Sequence, residues 1–274
     1  MRREKRSGLE STGRAHGTQC CIIRAARHCA MRKTSAVSPE GLAILENLQQ
    51  VAAERRRRDA DPTLAARTHA IKDYQHRRFS HTYADLLAQP RYAQSSRFFL
   101  DELYGPQDFT DRDSQFARVV PGLVRIFPHE LVGTVQALSE LHALSEAMDS
   151  AMGAQLKSAR VDARVYTGAW QAVGQPRVRA RQIELMVMVG SALDRYTRNP
   201  LLRHSLRLMR TPARAAGLSA LQHFLETGFD TFRAMKGADD FLQTIAGRER
   251  ELAAQLFAID LNSAHADTEL AALP

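Results

Sequence analysis

Apolar residues recur every three or four positions along most of this chain, and the pattern breaks where proline, glycine or a short polar residue intervenes. That period predicts a succession of amphipathic helices. Between Glu40 and Arg58, Leu42, Leu45, Leu48 and Val51 share one side, and Arg55 to Arg58 stand at the C-terminal end, where cations complement the helix dipole. Asp61 and Pro62 supply an N-cap and a first-turn proline for a segment reaching about Ala88, with a break near Ser80 and a stop at Pro90. Arg91 to Tyr104 follows, ended by Gly105, which accepts a left-handed conformation, and Pro106, which cannot continue the hydrogen-bond ladder. Thr110 is expected to cap a short helix with Asp111 and Asp113 in its first turn, and Pro121 to start or kink the turn leading to Phe127.

Pro128 opens the longest clean pattern, to about Leu156, with Leu131, Val135, Leu138, Leu141, Leu144, Met148 and Met152 three or four apart. This segment is predicted to be the central packing helix. A shorter helix spans Asp162 to Val173 and carries Trp170; Gly174 ends it before Pro176. Pro176 to Arg198 holds the most apolar run, Ile183 to Val189. Asn199 before Pro200 and Thr211 before Pro212 mark two further starts, the second leading through Leu221, Phe224, Leu225, Phe229 and Phe232. Gly237 separates that segment from a last helix, Asp239 to about Leu261. No stretch alternates apolar and polar residues with β-branched enrichment. The fold class is therefore all-α, a multi-helix globular bundle of about nine to eleven helices with no sheet.

The chain has 274 residues, 44% of them hydrophobic, enough for a sizeable core. Its formal net charge is +8, yet seven of the basic residues lie before residue 31 against Glu4 and Glu10, leaving +3 for the remainder. General or specific nucleic-acid binding is therefore not expected. Cys20, Cys21 and Cys29 also fall in that stretch, so the fold uses neither a disulfide nor thiolate chemistry. Residues 1–38 read as a disordered basic tail, with Met31 as an alternative start. A targeting presequence is a second reading, and a metal site from Cys20, Cys21, His28 and Cys29 a third. Residues 39–261 read as a single helical domain and 262–274 as a frayed tail. With no apolar run long enough to span a bilayer, the expected location is the cytoplasm.

The run FFLDELYGPQDFTDRDSQFARVVPGLVRIFPHELV, Phe98 to Val132, and the later LDRYTRNPLLRHSLRLMR, Leu193 to Arg210, resemble a bacterial helical family, typical of proteobacteria, known as a domain of unknown function. The resemblance extends over residues 40 to 258. It implies a bacterial source and one helical domain, and brings no catalytic residue, ligand or partner with it.

Candidate chemistry is sparse. His142, Glu146 and Asp149, four and three residues apart, project from one side of the long helix and could bind a metal or exchange protons. Against that, the Glu-x-x-His pair of helical di-metal sites is absent, and a solvated face or internal salt bridges would explain the same spacing. Arg160 to Arg214 contains eleven arginines against three acids, whereas Pro128 to Leu156 has four acids and no Lys or Arg. Arg203, Arg207 and Arg210 make one helix face cationic, a candidate anion-binding surface, unless they pair with the acidic helix. Leu218 to Met235 loosely imitates a helix-turn-helix with Gly228 at the turn, though its second half suits DNA poorly. His204 and His223 could ligate haem, without any supporting motif. No nucleophile elbow, phosphate loop or dinucleotide fingerprint occurs. The expectation is a non-enzymatic protein with no cofactor, acting through protein or ligand binding, with a protein or anionic partner at the Arg-rich face. The alternative is an enzyme or a cofactor- or metal-binding protein with an interhelical pocket.

Overall fold

A computed structural model describes residues 38–103, 105, 107, 109–271 and 273. The basic tail up to Val37 with its three cysteines, the Met31 alternative, Tyr104 and Pro106 lie outside the described residues. Among those described, thirteen α-helices and one π-helical turn occur, without a strand. Nine of the thirteen are longer than six residues, within the nine to eleven anticipated, and the other four are short helices of five or six residues.

Helix α1 (Pro39–Asp59) starts at Ser38, whose hydroxyl accepts from the Gly41 N–H at 3.2 Å. Helix α2 (Pro62–Thr82) has the anticipated cap: the Asp61 carboxylate accepts from the Thr63 and Leu64 N–H groups at 2.9 and 3.1 Å. The chain then steps through α3 (Ala84–Ala88), α4 (Ala93–Phe98) and the π-turn Phe99–Leu103. Helix α5 (Thr110–Ile126) departs from expectation twice: Phe109 holds the N-cap position, with Thr110 the first helical residue, and no new helix starts at Pro121, which lies inside α5. Pro121 and Gly122 are exposed, so the lost backbone hydrogen bond falls on the solvent side. Helix α6 (His129–Gln155) is followed by α7 (Ala163–Val173), capped by Asp162, and α8 (Pro176–Thr197).

Helix α9 (Pro200–Leu208) begins at Asn199, whose side chain accepts from the Leu201 N–H at 3.0 Å. The segment expected to run unbroken from Pro212 is two helices, α10 (Arg210–Ala215) and α11 (Ser219–Met235), parted at Gly217 with φ +68°. Lys236 (φ +55°) and Gly237 (φ +117°) then turn the chain into α12 (Asp239–Ala258). The residues expected to fray carry α13 (Ala266–Leu270), whose Ala266 and Leu270 are buried beside α7.

Helix α6 is the hub, packed by α1, α2, α7 and α8. Its buried positions include Met152 of the anticipated stripe but none of its leucines; the others are Val132, Ala137, Ser139, Ala143, Glu146, Asp149, Ser150 and Gly153. A helix enclosed by neighbours on several sides needs small residues where backbones approach. A Cβ on Gly153 would lie 2.5 Å from Thr68 Oγ1 and 2.9 Å from the Thr68 nitrogen, which shows how tightly α2 meets α6. Three apolar clusters hold the rest. Phe79, Tyr83, Phe99, Phe232 and Phe241 form one; Tyr74, Met152, Tyr166 and Trp170 a second; Ile44, Leu48, Val120 and Val132 a third.

The structure also removes the helix-turn-helix reading. Gly228 sits inside continuous α11, where a Cβ would meet Phe98 Cζ at 3.0 Å, so the glycine serves packing of α4 against α11.

Candidate functional site

The helical period that places His142, Glu146 and Asp149 on one side of α6 turns them toward α1, α2 and α5, and each finds a separate partner there. Glu146 accepts from Arg58 at 2.5 Å and from Lys72 at 2.6 Å. Asp149 accepts from the Gln75 amide at 3.0 Å. His142 Nε2 lies 2.7 Å from Asp113 Oδ2, which also takes Arg55 at 2.7 Å. The three do not converge on a common point, and among the described residues no group of three or more His, Cys, Asp or Glu side chains could hold a metal ion.

Electrostatics agrees with this pairing. Burial alone would raise the Glu146 carboxyl, but the charges of Lys72 and Arg58 outweigh it and bring the pKa down from 4.5 to about 2. Burial likewise opposes ionisation of Asp113, and the His142 hydrogen bond with the charges of His142, Arg112 and Arg55 overcomes it, giving about 2. Asp149 is the exception: fully enclosed and facing an amide, it is pushed up by burial. The arginine run ending α1 is thus not simply a solvated terminus. Arg55 and Arg58 reach inward while Arg56 and Arg57 face solvent.

A second interior layer is aromatic and basic. Arg78 pairs with Glu249 at 2.5 Å, and the Tyr83 hydroxyl donates to the same carboxylate oxygen at 2.7 Å. The Arg179 guanidinium lies 3.9 Å from the Trp170 ring centroid. These contacts tie α2, α7, α8 and α12 together.

The Arg-rich part behaves differently from the simple pairing expected. Arg181 does bridge to the acidic helix, with two bonds to Glu140 at 2.8 and 3.0 Å. Arg203 and Arg210, however, pair with Asp230 and Glu226 of α11 at 2.8 and 2.7 Å, not with α6. Arg207, between them, has no ion pair among the described residues. Of the candidate anion-binding trio, two are therefore occupied within the fold. His204 and His223, considered for haem, are both exposed.

Sequence reasoning overlooked a neighbouring feature. A cleft of about 500 Å³ is lined by Asp194, Thr197 and Arg198 at the end of α8, Pro200 at the start of α9, and Phe232, Arg233, Lys236 and Gly237 around the end of α11. Asp194 is buried and pairs with Arg198 at 2.5 Å. Arg233 and Lys236 are exposed and form no ion pair among the described residues. The cleft lining thus holds Arg198, Arg233 and Lys236 against Asp194; the sequence stretch that supplies it, Asp194 to Lys236, has seven arginines and Lys236 against Asp194, Glu226 and Asp230, a formal +5. Residues 38–274 as a whole carry 29 basic and 28 acidic residues, so everything outside this stretch sums to −4. The i, i+3 spacing of Arg233 and Lys236 just before Gly237 was a visible signal.

Among the described residues the fold and site define an all-helical protein with a charge-paired interior and a cleft lined by Arg198, Arg233 and Lys236. The chain belongs to a family described as a domain of unknown function (DUF8198), whose model matches residues 54–263. That span takes in the end of α1 and all of α2 through α12. No curated protein and no solved structure matches the chain.

Proposed function

We propose that this is a non-enzymatic, cytoplasmic binding protein that receives an anionic ligand in the cleft between α8, α9 and α11. The observation that carries the reading is the contrast between paired and unpaired charge. Interior carboxylates each have a basic or amide partner, whereas Arg233 and Lys236 face the cleft without an acid. A small polyanion would pair with these two, with Arg198 already held in place by Asp194 and Phe232 contributing apolar lining.

Calorimetric titration of the full chain with pyrophosphate tests this. Saturable binding that weakens roughly tenfold or more in the R233A/K236A double variant is expected, as for loss of charge-assisted contacts. No saturable heat, or identical affinity in the variant, overturns the proposal. Elemental analysis of the same pure protein addresses the catalytic alternative, since a stoichiometric metal would favour the enzyme reading.

A further inference from the structure

Helix α9 is built inside out. None of its residues is buried, although five of its nine positions are Leu or Pro. At about 100° per residue, Leu201 and Leu208 fall within about 20° of each other, with His204 and Ser205 beside them and Met209 next to them. These positions are the outward ones: Leu201 is 72%, Leu208 64% and Met209 51% exposed. The opposite side carries Arg203, Leu206 and, one turn on, Arg210, and it faces α11. There Arg203 pairs with Asp230, Arg210 with Glu226, and the Leu206 carbonyl accepts from the Gln222 amide at 2.7 Å. A helix on a soluble protein ordinarily shows the reverse, leucines inward and arginines outward. Here the ion pairs accompany an orientation that keeps Leu201 and Leu208 in water.

We infer that the outward face of α9 docks onto an anionic lipid surface. Its leucines and Met209 enter the boundary between headgroups and acyl chains while the surrounding cations meet lipid phosphates. Charge complementarity selects this occupant. The stretch from Arg195 to Leu225 contains six arginines and no acid. Beyond the two arginines paired with α11, Arg207 and Arg214 remain without ion pairs among the described residues, as do Arg233 and Lys236 further on. A second copy set against this face would bring the unpaired Arg207 and its neighbouring cations against the same cations, a repulsive arrangement for a two-fold contact. The helix lies on the surface and does not cross it: among the described residues no helix is long and apolar enough for a membrane span.

Co-sedimentation of the full chain with vesicles tests the inference. With phosphatidylcholine containing about a third phosphatidylglycerol, the protein is expected to pellet, to be released by high salt, and to ignore pure phosphatidylcholine. The L201S/L208S variant should lose roughly tenfold or more of its partitioning, because each exchange removes apolar area that would leave water. Its circular dichroism and thermal midpoint should be unchanged, since both side chains are already exposed in the fold. The basic residues before Ser38 are common to both proteins, so the difference reads α9 alone. The inference is overturned if the wild type does not pellet with anionic vesicles or if the variant pellets equally. It is also overturned if light scattering finds a dimer that L201S/L208S dissolves, which would give the face to a second copy. Pyrophosphate binding in the cleft should survive L201S/L208S, so the two proposals fail separately.

Discussion

Helices α6 and α9 invert one another. On α6, carboxylates point inward and are matched: Glu146 sits between Arg58 and Lys72, and Asp149 lies against Gln75. On α9 Arg203 turns toward α11 while Leu201 and Leu208 stay in water. The α6 arrangement takes charge out of solvent, which is costly unless every partner is present, and in return fixes how α1, α2 and α6 register. The α9 arrangement contributes little to the core and leaves apolar area that folding does not use. Chemistry-bearing residue types in this protein are thus mostly structural, and the surface suited to binding is made of residue types usually read as core.

The sharpest way to break that contrast is to remove the centre of the α6 network. Glu146→Ala leaves Arg58 and Lys72 enclosed without their carboxylate and should cost about 3–5 kcal/mol in urea denaturation. A loss below about 1 kcal/mol would show that the network is solvated. Acid offers a second route to the same group. The folded state holds the Glu146 carboxyl at about 2 against an ordinary 4.5. Its stabilisation is therefore complete above pH 4.5 and lost as the pH falls toward about 2, ~3 kcal/mol in all. Asp113, displaced in the same direction, adds a smaller loss in that window, while Asp149, displaced upward, opposes both. Urea midpoints measured from pH 6 to pH 2 should fall steeply for the wild type and more gently for Glu146→Gln.

Much of the fold was legible because helix boundaries are written locally. Asp61 with Pro62, Asp162, and Asn199 with Pro200 cap the helices they were expected to cap. Thr110 and Thr211 do not occupy the cap position, since each already lies within its helix, whereas a capping residue's own backbone is extended, which neighbouring residues decide. Pro121 misled because an exposed helix face tolerates a missing backbone donor. The site was less legible. Spacing placed His142, Glu146 and Asp149 on one side of α6, but their partners Asp113, Arg58, Lys72 and Gln75 are 29 to 88 residues away. Arg203 and Arg210 were recognised as one face, yet periodicity alone cannot say which face turns inward. Gly228 had the residue type of a turn, and only the nearness of Phe98 shows that it makes room for a ring.

Two glycines sharpen the contrast between enclosed and open helix faces. Gly153→Ala should destabilise by about 1–3 kcal/mol although alanine is the better helix former, because the new methyl meets the Thr68 backbone nitrogen, which cannot move without shifting α2. Gly247→Ala, on the exposed side of α12 with nothing within 4 Å of the new carbon, should instead stabilise by about 0.5–1 kcal/mol. Thermal midpoints of the two variants should therefore move in opposite directions, and a shared sign would mean that α2 and α6 are not in close contact.

The smallest effect on global stability is expected where α9 meets α11. The Arg210–Glu226 pair is half in solvent on the arginine side, and Arg203 with Asp230 is similarly accessible, so solvent screening leaves each a minor contributor to global stability. What these pairs control is orientation. In the R203A/R210A variant the urea midpoint should barely change, while amide hydrogen exchange in α9 should accelerate and that in α6 should not. With both ion pairs gone and the Leu206–Gln222 hydrogen bond left, the helix can roll and lower the exposure of Leu201 and Leu208, so binding of an apolar dye at this face should decline together with protection. If the midpoint fell as far as in Glu146→Ala, the arginines of α9 would be core supports like those around α6, and the two helices would obey one rule after all.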